Sequence, residues 1–162
     1  MRSLLITLFF ILTTLFSVQA QQTPAALTPL LNSYYGLKDA LVNSDAITAS
    51  GKANEFIKAS NNVDIKTIPA DKSAAFVSLQ KKLVSDAAQM TATKDINKLR
   101  DYFAAFSLNF YSLAKTIKLS DQPVYWQYCP MKKTSWLSND KAIKNPYYGK
   151  AMLTCGNVKE TL

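Results

Sequence analysis

The chain contains no histidine in 162 residues. That absence excludes Ser-His-Asp and Cys-His catalysis, the HExxH zinc proteases, imidazole ligands and a near-neutral imidazole base. Cysteine is nearly as scarce, with only Cys129 and Cys155. Their spacing is not the Cys-x-x-Cys of thiol–disulfide enzymes. Two thiolates also fall short of the donor set that zinc usually takes, and the spacing of Asp121, Asp140 and Glu160 does not suggest that they complete it. Acidic residues are the minority, 11 Asp and Glu against 19 Lys and Arg, for a formal net charge of +8. Cations would not collect loosely on such a surface, so any metal must be held by specific ligands. Repeats, low-complexity tracts and paired carboxylates are missing too, and no enzymatic activity is expected.

The basic residues are dispersed, and Lys81-Lys82 and Lys132-Lys133 are the only doublets. A solvated surface accounts for them, and no nucleic-acid partner is expected. Residues 1–20 have the layout of a secretory signal: Arg2, an apolar run from Leu4 to Phe16, then Val18-Gln19-Ala20 as a small-x-small cleavage site. The apolar run is short for a span, which needs about 20 apolar residues. We therefore expect export to the periplasm without membrane insertion after cleavage. No cysteine follows the cleavage site, so a lipid anchor is not indicated.

From residue 21 to 119 the apolar residues recur at helical spacing. Leu27, Leu30, Leu31, Tyr34, Leu37 and Leu41 mark a first helix, with Thr28-Pro29 as its start. Asn43-Ser44-Asp45 can cap a second, from Ala46 to about Ser60, whose apolar face is mostly alanine. A third is predicted from Asp71 to Met90. The strongest signal follows: Ile96, Leu99, Phe103, Phe106, Phe110, Leu113 and Ile117 alternate steps of three and four, a heptad seam. One seam among three other amphipathic helices is ordinarily consumed inside the bundle. The expected fold is mainly α, an up-and-down four-helix bundle.

Composition changes at residue 120. Val124 to Cys129 is rich in β-formers, and Ala151 to Cys155 is a second short apolar run. Between them Ser138-Asn139-Asp140 could cap one or two helical turns, stopped by Asn145-Pro146. Residues 120–162 are thus expected to form a small β-hairpin or irregular appendage packed on the bundle. Antiparallel pairing of the two runs would bring Cys129 and Met131 to Met152 and Cys155. Thiolate and thioether are soft donors, and a site built from them selects copper(I) or a similar ion. The plainer chemistry stays open beside it: two cysteines in an exported protein usually form a disulfide, which here would contribute about 3 kcal/mol.

Tyr128-Cys129-Pro130-Met131, Trp136-Leu137-Ser138, Asn145-Pro146-Tyr147-Tyr148-Gly149 and Met152-Leu153-Thr154-Cys155-Gly156 resemble the pattern of an exported bacterial family of unknown function, DUF 3347. Leu37-Lys38-Asp39-Ala40-Leu41 resembles its first helix. Members occur alone and as extensions of periplasmic adaptor subunits of heavy-metal efflux pumps. The resemblance therefore implies copper or related metal handling, with the metal ion and an efflux adaptor as partners. Cys129-Pro130-Met131 is also similar to the core of a short heavy-metal-binding domain, where the motif usually continues His-Pro. Lys132-Lys133 stands there instead, which leaves Cys129, Met131, Met152 and Cys155 as the candidate ligands.

Overall fold

A computed structural model describes residues 23–162. The expected secretory signal, residues 1–20, lies outside the described residues. Four helices come first: α1 (Thr23–Val42), α2 (Ala46–Asn61), α3 (Ala70–Thr91) and α4 (Ile96–Thr116). Each start has a local cause. The Asp45 carboxylate accepts the Thr48 amide at 2.9 Å, and the Asp95 carboxylate accepts the Asn97 amide at 2.8 Å. α3 instead opens directly after Pro69, which cannot continue a helix backwards.

One boundary differs from expectation. α1 begins at Thr23 and carries Pro29 inside it. Pro29 lacks the amide hydrogen that would bond the Ala25 carbonyl, but Ala25 is exposed and water can take that acceptor. No helix among the described residues is long and apolar enough to cross a membrane.

The helices pack in sequence order, α1 on α2, α2 on α3 and α3 on α4. Ala49 and Ala53, both fully buried, let α2 approach its neighbours closely. The heptad seam of α4 is spent in the core, where Leu99, Phe103, Phe106 and Phe110 are all 0% exposed. Tyr34 of α1 closes the bundle against it, with its ring stacked on Phe110 at 4.5 Å between centroids. Phe56 of α2 meets Phe106 edge-on at 4.8 Å.

A three-stranded antiparallel sheet follows, in the order β2-β1-β3: β1 (Tyr125–Cys129), β2 (Thr134–Ser138) and β3 (Asn157–Thr161). The expected pairing of 124–129 with 151–155 does not occur. β1 pairs with β2 through a tight hairpin, Cys129 opposite Thr134, and with β3 on its other side. Lys133 takes the left-handed φ of 55° that closes the turn. Residues 151–155 lie instead in a 3₁₀ turn (Gly149–Met152) and the turn after it. The helical turns expected after Ser138 are also absent. Ser138 ends β2, where Trp136 and Leu137 gain more from burial than a short exposed helix could give.

The sheet docks on the bundle through β2, and two tyrosine hydroxyls cover its free edge. Leu137 donates its amide to Tyr34 Oη at 2.9 Å, and Tyr147 Oη donates to the Ser135 carbonyl at 2.7 Å. Residues 135 and 137 face the same way along the strand, so both outward backbone groups find partners inside the protein.

Candidate metal site

β1 delivers Cys129 to the interior, where it is fully buried. The hairpin turn then folds back over it, and the Lys132 amide donates to Cys129 Sγ at 3.4 Å. That turn is pinned by an ion pair from Lys132 to Asp101 of α4 at 2.8 Å. Pro130 fixes the chain direction at the first turn position.

Cys155 arrives by a longer path, and Asn145 controls its end. Buried completely, Asn145 donates its side-chain amide to the Cys155 carbonyl at 2.7 Å and accepts the Tyr147 amide at 2.8 Å. Its own amide bonds the Leu153 carbonyl at 2.8 Å. Ahead of it, Gln127 Nε2 holds the carbonyls of Asp140 and Lys141 at 2.8 and 3.2 Å. Behind it, Arg100 of α4 donates to the Pro146 carbonyl at 3.0 Å and to the Leu41 carbonyl at 3.1 Å. Gly149 sits against that guanidinium with φ +56°, where an added Cβ would fall 2.8 Å from Arg100 Nη2 and from the Val42 carbonyl. Gly156, next to Cys155, lies under the Trp136 ring, and a Cβ there would come within 2.9 Å of it.

These constraints put Cys129 Sγ and Cys155 Sγ 3.8 Å apart, both as free thiols. At a metal–sulfur distance of about 2.3 Å that separation subtends about 110° at the metal, which leaves room for further donors. Burial pushes the Cys155 thiol up from its ordinary value, and the hydrogen bond and charge of Cys129 push the same way. The Met131 amide hydrogen bonds to Cys155 and offsets part of that rise. Tyr147, buried beside Cys129, is raised chiefly by burial, with a small contribution from the thiol.

The two methionines are placed differently from the cysteines. Met131 is 63% exposed and Met152 is 36% exposed. The thiols are thus brought together, and the thioethers stand outside them. Among the described residues no group of three or more His, Cys, Asp or Glu side chains is gathered that could hold a metal. Asn145, Arg100, Gln127 and Tyr34 position the site without having been singled out for it from sequence. Asn145-Pro146 carried a signal as a chain stop and as part of the family pattern, neither of which gives Asn145 this role, and an arginine on a helix of this composition reads as solvated.

The fold and the paired thiols define a class: a four-helix bundle bearing a small β-appendage with one buried and one half-buried thiol in contact. The chain belongs to the DUF3347 family, proteins of unknown function, whose model matches residues 30–122. That match covers α2, α3, α4 and most of α1, including Leu37 to Leu41, and ends before β1. Membership therefore rests on the helices rather than on the cysteine-bearing motifs. No curated protein and no solved structure matches the chain.

Proposed function

We propose that this is an exported, non-enzymatic carrier of a soft metal ion, copper(I) foremost, in periplasmic metal resistance or efflux. Cys129 and Cys155 hold the ion, and Met131 and Met152 supply thioether sulfur. The observation that carries the reading is the 3.8 Å contact between two free thiols. Soft sulfur donors without imidazole favour a soft monovalent ion over zinc. Few, exchangeable ligands suit passage to a partner such as an efflux adaptor.

The test is an anaerobic titration of the reduced protein with copper(I) against a chromophoric chelator, beside Cys129→Ser and Cys155→Ser. One-to-one binding that falls by a factor of about 100 or more in each variant is expected, because each loses a thiolate ligand. Binding that is the same in all three refutes the site.

The same distance favours one other reading, a metal-free interaction module stapled by a Cys129–Cys155 disulfide. The sulfurs need approach by only about 1.8 Å to reach bonding distance. Protein isolated without reductant and lighter by two hydrogens would favour this alternative; free thiols in that sample would reject it.

A further inference from the structure

We propose that Met131 and Met152 capture the ion at the surface and pass it inward, so that thioethers govern uptake and thiols govern retention. The proposal rests on the soft-metal reading above and assigns the four sulfurs an order of action.

The argument begins from exposure. Met131, between Pro130 and Lys132 at the hairpin tip, leaves 63% of its surface in water, whereas Cys129 leaves none. A methionine so exposed contributes little to packing, so the core does not explain its place. Met152 and Leu153 are exposed as well, at 36% and 37%. Both methionine backbones also bracket Cys155: the Met152 carbonyl accepts the Cys155 amide at 3.1 Å, and the Met131 amide serves the Cys155 sulfur. Met131 lies two positions from the buried thiol in sequence and Met152 three from the half-buried one, and the two thiol sulfurs are 3.8 Å apart.

Exposure gives the sequence a direction, because the methionines meet solvent, Cys155 is half-buried and Cys129 is closed off from it. A thioether carries no proton and offers its lone pair at any pH, whereas a thiol must lose its proton to become a ligand. The first metal–sulfur bond thus forms at a methionine. It breaks as the Cys155 sulfur bonds the ion and releases its proton to solvent, and Cys129 follows in the same way. Two protons leave for each ion held by two thiolates, and no electron is transferred.

The experiment mixes the reduced protein with the copper(I) complex of bicinchoninate in a stopped-flow instrument and follows loss of the chelate colour. The double variant Met131→Leu with Met152→Leu keeps size and apolarity at exposed positions, and circular dichroism checks its fold. Uptake is expected to slow by about fivefold or more while the equilibrium partition against the chelator changes by less than about twofold. Rate and affinity falling together would make the thioethers resident ligands, and an unchanged rate would make them bystanders; either result overturns the order proposed. If the wild type and Cys129→Ser partition alike, the soft-metal reading itself has failed, and the capture step fails with it.

Discussion

Tyr34 does more than fill the core. Its ring packs on Phe103, Phe106 and Phe110, while its hydroxyl pairs with Ser107 Oγ at 2.6 Å and accepts the Leu137 amide at 2.9 Å. Full burial raises the phenol well above its ordinary value, with Tyr147 adding to the rise. It therefore stays a neutral hydrogen-bonding hydroxyl across the working pH range. Tyr34→Phe keeps the ring and strands two buried partners, which costs about 1–3 kcal/mol. Urea unfolding of the variant is expected to show a lower midpoint with unchanged slope; an unchanged midpoint would remove the hydroxyl from the argument. Sequence periodicity marked Tyr34 as a core position on α1. It could not say that the hydroxyl would serve a strand 103 positions away.

At the scale of elements, the two edges of the sheet are treated in opposite ways. β2 is covered by the helices and the two tyrosines, whereas β3 is an exposed edge with burial alternating along it. β3 is anchored to α4 by Glu160, which accepts from Lys115 Nζ and from Tyr111 Oη. Next to that anchor, Trp126 of β1 stacks on Tyr111 at 4.0 Å. The Lys115 hydrogen bond, then that of Tyr111, holds the Glu160 carboxyl below its ordinary 4.5. A depressed carboxyl gives stability that is present above the unfolded value and lost as pH falls through the folded one. The anchor is exposed enough for solvent to screen it, so the effect is local rather than global. Amide exchange, corrected for its intrinsic pH dependence, is expected to lose protection in β3 below about pH 4.5 before the helices respond. In Glu160→Gln that acid step should vanish; a step that persists would place the titrating group elsewhere.

β3 also shows why part of the appendage was illegible. Asn157-Val158-Lys159-Glu160-Thr161 buries too little to leave an apolar alternation, and its place is set by backbone bonds to β1. The run at 151–155 had the composition of a strand, but Gly149, Asn145 and Arg100 fix it as a turn. Backbone pairing depends on which edge is open, and residue type carries little of that information.

For the whole molecule, the bundle mounts the appendage, and the appendage carries both thiols. α4 links them: its buried face forms the core, while Arg100 and Asp101 hold the segment before Cys155 and the turn after Cys129, and Tyr111 and Lys115 hold β3. The soft-metal proposal makes the site sensitive to pH, because an ion binding to the dithiol must displace protons. The sign follows from the raised Cys155 thiol: at neutral pH it is protonated, so apparent copper(I) affinity rises with pH, about tenfold per unit for each proton displaced. Because the thiol lies above its ordinary 9.0, the rise should continue through that value. Competition titrations from pH 6 to 9.5 would test this, after correction for the chelator's own protonation, and a flat profile would contradict thiolate ligation.

The sequence alone determined the helical part of this protein. Apolar spacing, the caps at Asp45 and Asp95, and the seam of α4 are local patterns, and each helix satisfies its own backbone within a few residues. It also fixed the sulfur inventory and the absence of imidazole. Tertiary structure decided the order of the strands, the burial of one thiol, the exposure of both thioethers, and the contact between sulfurs 26 positions apart. Those outcomes depend on which polar groups remain unsatisfied once the sheet docks on the bundle, and only the assembled interior supplies their partners.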